Sequence, residues 1–118
     1  MSNILIVDDE KDIRDILSDF LSYQDIVCDT CDSVKAAKVK IQENKYDLII
    51  SDIVMPEEKG DELLKWLNTT PEYKTNFIFM TGYSDISRED LLSLGALEII
   101  SKPFNFTELS EKIKSHYI

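Results

Sequence analysis

The chain has 118 residues, of which 43% are hydrophobic and 31% charged, the size and balance of one folded domain spanning 1–118 and not of a disordered tail. Its formal net charge of −10 argues against direct nucleic-acid binding, which needs a basic footprint for the phosphate backbone. No stretch nears the ~20 apolar residues of a membrane span, and the first residues lack the basic segment and apolar core of a secretion signal. A cytoplasmic location with no membrane partner is therefore expected.

Short apolar runs alternate with helical patterns from end to end. Ile4, Leu5, Ile6 and Val7 form a run too short for a helix and suited to a strand covered on both faces. Ile13, Ile16, Leu17, Phe20 and Leu21 then recur at the spacing of one helix face. Ile26, Val27 and Cys28 predict a weaker second strand. Val34, Ala37 and Ile41 mark a second helix, with Asp32 or Ser33 as its N-cap and Lys35, Lys38 and Lys40 on its other face.

Leu48, Ile49 and Ile50 predict the third strand, and Leu63, Leu64 and Leu67 the stripe of a third helix. Phe77, Ile78, Phe79 and Met80 follow as a fourth strand. Leu91, Leu92 and Leu94 belong to a fourth helix ending near Gly95, and residues 97–100 to a fifth strand. The last helix opens at Asn105, with Glu108 as its capping partner, and buries Phe106, Leu109 and Ile113. Five successive βα units require right-handed crossovers and a parallel sheet with helices on both faces. The expectation is a doubly wound, flavodoxin-like, three-layer αβα fold. The order 2-1-3-4-5 is its common small version, although periodicity does not separate it from other orders.

Ligands of such sheets bind beyond the carboxyl ends of the strands. Asp8, Asp9 and Glu10 follow the first strand, Asp52 the third, Thr81 and Gly82 the fourth, and Lys102 and Pro103 the fifth. Asp8, Asp9 and Asp52 offer hard anionic oxygens of the kind Mg²⁺ prefers, and their mutual repulsion is relieved by a divalent cation. Asp52 can also serve as a nucleophile that needs no activating base, forming an aspartyl phosphate. Lys102 would neutralise phosphoryl oxygens, and the Thr81 hydroxyl could donate to one of them.

Each residue also has a plainer reading. Asp8 and Asp9 could cap the first helix, Asp52 could be a turn residue before Met55 and Pro56, Lys102 a solvated strand-end charge, and Thr81 a polar turn residue. Their convergence on one rim, from segments far apart in sequence, favours the chemical reading. Cys28 and Cys31 form a C-x-x-C spacing, but His116 is distant and two thiolates alone do not make a zinc site. Cys28 is expected to be a small buried residue.

These residues resemble the receiver domains of two-component response regulators over the whole chain. The resemblance is carried by Asp8 and Asp9, by Asp52, Met55 and Pro56 with Gly60 behind them, by Thr81 and Gly82, and by Lys102, Pro103 and Phe104. It implies that Asp52 takes a phosphoryl group from a phosphohistidine on a sensor histidine kinase or a histidine phosphotransfer protein. It implies Mg²⁺ held by Asp9, Asp52 and the backbone carbonyl of Val54, with Asp8 assisting partly through water. Lys102 would pair with the phosphoryl group, and the Lys102–Pro103 peptide would be cis. Such a domain is not an enzyme, but assists its own phosphorylation and dephosphorylation. It acts on a downstream target protein or a fused output domain through the surface of its fourth helix, fifth strand and fifth helix, as a monomer or as a homodimer formed on phosphorylation.

Two positions depart from the family pattern. The family's switch aromatic lies three residues before the lysine, where this chain has Ile99, a β-branched side chain ill-suited to a large rotamer swing. Gly82 stands where alanine is common, which should loosen the loop leading to Tyr83 and Ser84. Val54 and Tyr83 occupy positions that tune hydrolysis in the family; a valine cannot hold a water and a tyrosine can shield one, so a long-lived phosphate is expected. The alternatives are a receiver-like interaction module that takes no phosphate, an aspartyl-phosphate phosphatase and a flavin carrier. The phosphatase would need a second Asp where Val54 stands, and the flavin carrier a phosphate loop where Asp8, Asp9 and Glu10 stand.

Overall fold

The computed structural model describes residues 3–82, 86–102 and 105–117. Its elements in chain order are β1 (Asn3–Val7), α1 (Lys11–Ser22), β2 (Val27–Cys31), α2 (Val34–Glu43), β3 (Leu48–Asp52), α3 (Gly60–Asn68), β4 (Asn76–Thr81), α4 (Arg88–Ser93), β5 (Glu98–Ser101) and α5 (Phe106–Tyr117). A single 3-10 turn at Pro71–Tyr73 precedes β4 and carries no apolar period that would announce it. The strands make one parallel sheet in the order β2-β1-β3-β4-β5, the expected doubly wound topology.

Successive side chains of a strand face opposite ways, and here that alternation splits the apolar interior in two. Leu5, Val7, Ile49, Phe77, Phe79 and Ile99 pack with Val34, Ala37 and Ile41 of α2, Leu63, Leu64 and Leu67 of α3, and Leu91 of α4. Ile4, Ile6, Leu48, Ile50, Ile78, Met80 and Ile100 pack with Leu17 and Leu21 of α1 and with Leu109 and Ile113 of α5. The central strands are thus apolar on both faces, which is why they read as unbroken runs.

Several expectations need correcting. Ile16 is 48% exposed and Leu92 40% exposed, so neither belongs to the core. On α1 the buried positions are Leu17 and Leu21 and on α4 Leu91, each helix laying a narrower stripe on the sheet than its leucines and isoleucines suggested. The second strand runs on to Cys31 through Asp29 and Thr30, because an edge strand can present polar side chains to solvent. Cys28 is only half-buried and Cys31 is the buried thiol. Three residues apart on a strand, they join opposite cores, and burial pushes each thiol up to about 11. A shared metal or redox centre is excluded by that placement.

Helix caps follow the sequence. Ser33 Oγ accepts from Ala36 N at 3.1 Å, and Asn105 Oδ1 accepts from Glu108 N at 3.1 Å. Gly95 follows α4 with φ +109°, a conformation that glycine adopts without strain. Among the described residues no helix is long and apolar enough to cross a membrane. Tyr83, Ser84, Pro103 with its expected cis peptide, and Phe104 lie outside the described residues.

Candidate functional site

Because all strands run parallel, the residues at their carboxyl ends share one rim. Asp8 and Asp9 follow β1, Asp52 is the last residue of β3, Thr81 the last of β4, and Lys102 follows β5. Asp8, Asp9, Glu10 and Asp52 each bring one carboxylate oxygen within 4.8 Å of the others. Asp8 is fully buried and Asp52 is 6% exposed, whereas Asp9 and Glu10 lie open to solvent. Asp9, Glu10, Asp52, Val54, Gly82 and Lys102 line one open cleft of about 390 Å³.

Asp8 is fixed through all its polar groups. Its N–H donates to Cys31 O at 3.1 Å, and its carbonyl accepts from Arg14 Nη1 at 2.8 Å. Its Oδ1 accepts from Glu10 N at 2.9 Å and its Oδ2 from Lys102 Nζ at 3.1 Å. Asp8 therefore does not cap α1; Glu10 holds the N-cap position, without a side-chain capping bond.

Lys102 Nζ reaches Asp52 Oδ2, also at 3.1 Å, while Glu10 Oε1 stands 3.9 Å away. Burial alone pulls the ammonium down, but Asp8 and Asp52 outweigh it and leave Lys102 above its usual range. Asp52 is pushed up, first by burial and then by the neighbouring charge of Asp8, against the opposing pull of Lys102 and of Ile53 N. Two buried carboxylates and one ammonium leave the centre net negative, which a divalent cation would correct. The donor set, hard carboxylate oxygens beside an open cleft, fits Mg²⁺.

The backbone around Asp52 is tightly held. Ile53 N donates to Asp52 Oδ1 at 2.8 Å, and Gly60 N donates to Ile53 O at 2.8 Å. At Gly60 a Cβ would overlap the Asp52 carbonyl oxygen and stand 2.9 Å from Ser51 Oγ, so the start of α3 closes on β3 only because residue 60 has no side chain. Val54, half-exposed, lies on the rim of the cleft.

Thr81 sits slightly apart. Its carbonyl accepts from Lys102 N at 2.7 Å, joining the ends of β4 and β5. Its Oγ1 is buried and has no hydrogen-bond partner among the described residues. Thr81 lines a neighbouring cleft with Gly82, Arg88, Leu91, Ile99 and Ser101. Glu10, Arg14 and Ser51 stand against these residues: Glu10 beside Lys102, Arg14 on the Asp8 carbonyl and Ser51 on that of Asp52. Glu10 is visible in the acidic run after β1, whereas the hydrogen bonds of Arg14 and Ser51 to backbone carbonyls leave no periodic trace in sequence.

Comparison with known proteins gives a consistent result. The family profile described as response regulator receiver domain matches residues 4–114. The transcriptional regulatory protein CpxR homolog of Haemophilus influenzae is 33% identical over 98% of this chain and 50% of its own length. Response regulator SaeR of Staphylococcus aureus is also 33% identical, over 98% of this chain and 50% of its own. The chain thus spans about half the length of the curated relatives it matches. Among solved structures, response regulator TrrA of Thermotoga maritima, in complex with Mg²⁺-BeF, is 38% identical with a TM-score of 0.87, covering 98% of this chain and 99% of that one. Chemotaxis response regulator CheY4 of Vibrio cholerae is 30% identical with a TM-score of 0.89, covering 98% of each chain.

Proposed function

Given that the chain belongs to the response regulator receiver family, we propose that it is a phosphorylation switch whose acceptor is Asp52. The observation that carries this reading is the position of Lys102 Nζ, 3.1 Å from both Asp8 and Asp52 at the mouth of an acidic cleft. The donor is a phosphohistidine on a sensor kinase or phosphotransfer protein, met in the cytoplasm. An Asp52 carboxylate oxygen attacks phosphorus and the P–N bond breaks. The imidazole nitrogen leaves with the electron pair, as a neutral ring once its other nitrogen is protonated.

Ile53 N fixes one oxygen of Asp52 and so orients the other, near Lys102, for attack. Lys102 then follows the charge from the carboxylate to the phosphoryl oxygens. The unpartnered Thr81 hydroxyl becomes a donor to one of them. Asp9, Asp52 and the Val54 carbonyl, with Asp8 behind them, would hold Mg²⁺, which when bound neutralises charge on the transferring group.

The output surface is that of α4, β5 and α5, facing a target protein or a fused output domain. Ile99 is buried in β5 and stiff at its first torsion, so movement of Thr81 is transmitted by displacement of α4, not by an aromatic swing. Arg88 Nη1, 3.4 Å from the Ile99 carbonyl, ties α4 to β5 where that displacement would be felt.

The test is intact-mass measurement after incubation with acetyl phosphate and Mg²⁺. The protein gains one phosphoryl group, and the Asp52→Asn protein gains none. An adduct that persists in Asp52→Asn removes the assignment.

A further inference from the structure

We propose that Ser51 is a positioning residue for Asp52, acting through the Asp52–Ile53 peptide group. Ser51 is fully buried, on the β3 residue just before the carboxylate. Its Oγ donates to the Asp52 carbonyl oxygen at 2.8 Å. The N–H of the same peptide group, on Ile53, donates to Asp52 Oδ1 at 2.8 Å. One rigid plane is therefore held at both ends, by a hydroxyl at its oxygen and by the reactive side chain at its nitrogen. A turn of that plane that broke the Ser51 bond would swing Ile53 N–H off Oδ1 and release the carboxylate from its orientation.

Gly60 approaches the Asp52 carbonyl with a bare Cα, which shapes the space around the oxygen but supplies no N–H or O–H to it. Gly60 N is spent on the Ile53 carbonyl, one peptide further on. Ser51 is neutral and fully buried, so its removal leaves the charge at the rim unchanged. Its contribution is to the angle at which the Asp52 oxygen meets phosphorus, where displacements under 1 Å are costly.

This inference rests on Asp52 being the phosphoacceptor, and the experiment separates the two. Wild type, Ser51→Ala and Ser51→Thr are labelled with acetyl phosphate and Mg²⁺, and the Ile53 amide resonance is recorded in each by NMR. In Ser51→Ala the maximal labelling rate falls about tenfold, while half-saturation by acetyl phosphate is unchanged and the Ile53 amide proton moves upfield. Ser51→Thr, which keeps the hydroxyl, restores both the rate and the resonance. A Ser51→Ala protein with the wild-type rate and the wild-type Ile53 resonance overturns the proposal. Failure of the wild type to be labelled at all would sink the phosphoacceptor reading instead, and the Ile53 resonance alone would then judge the hydroxyl's hold on the peptide.

Discussion

Lys102 Nζ and Asp52 Oδ2 stand 3.1 Å apart in a site where Asp52 is almost wholly shielded from water. The ammonium balances the carboxylates, and a metal held there would compete with it for them. Lys102→Ala should therefore split two properties that usually move together. Phosphorylation by acetyl phosphate slows by about a hundredfold, as for loss of one transition-state charge partner, while Mg²⁺ binds about tenfold more tightly to the uncovered carboxylates. Labelling rates and metal titration on the same sample check both directions.

Asp52 carries an ionisation penalty in the folded protein. Its carboxyl is raised, chiefly by burial and then by Asp8, so at neutral pH the folded state holds a charge the unfolded chain carries more easily. In EDTA, Asp52→Asn should therefore raise Tm at neutral pH. The sign with pH follows from the raised value. The gain is complete above the folded-state pKa and disappears as pH falls through it towards the ordinary carboxylate range, where Asp52 is protonated folded and unfolded alike. Thermal melts from neutral to acidic pH check it; a gain that grows on acidification contradicts it.

Mg²⁺ should stabilise the protein by relieving the same repulsion. At a hundredfold excess over its dissociation constant the expected gain is about 2.7 kcal/mol. Asp9 is exposed and brings a carboxylate oxygen within 4.8 Å of those of Asp8 and Asp52, so Asp9→Asn loses most of that gain while keeping its metal-free Tm within about 2 °C. Calorimetry with and without Mg²⁺ reads both quantities.

The three glycines should respond differently to alanine. At Gly60 the new methyl meets the Asp52 carbonyl oxygen, so backbone must move, at a cost of about 3 kcal/mol. At Gly95 space is open but φ is +109°, and the cost is about 1 kcal/mol. At Gly82 the nearest atom is Lys102 Cβ at 3.7 Å, an ordinary contact, and the change is within about 0.5 kcal/mol. Urea denaturation gives the ranking.

Val54 is 51% exposed beside the cleft and has no group to hold a water. The aspartyl phosphate should therefore persist well beyond seconds, and Val54→Asn, which can orient a water, should shorten its lifetime about tenfold. Loss of phosphate followed by intact mass decides it, and a valine-containing protein that empties within seconds contradicts the expectation.

Much of this molecule is legible in its residues because a strand covered on both faces must be apolar throughout. Ile4 to Val7 and Phe77 to Met80 therefore announce themselves, and the alternation of runs with 3.6-residue periods fixes the layers. The rim was legible because parallel strands bring distant carboxyl ends together, so Asp8, Asp9, Asp52 and Lys102 needed no geometry to be grouped. Edge strand β2 was seen only in part, since Asp29 and Thr30 carry no apolar signal. Ile16 and Leu92 were misread because apolarity records what a side chain could bury, not whether a helix turns it inward. Arg14 and Ser51 were missed for another reason. Each acts on the backbone of a neighbour, and a hydrogen bond to a carbonyl depends on angles that residue types do not encode.

The C-x-x-C pair has a practical consequence. A strand repeats every two residues, so a separation of three sends Cys28 towards the layer built by α1 and α5 and Cys31 towards that built by α2, α3 and α4. Cys31 is the buried thiol of the two, so its alkylation waits on local opening. A version of the protein keeping Cys31 alone would thus be a clock for the loosening of the layer built by α2, α3 and α4.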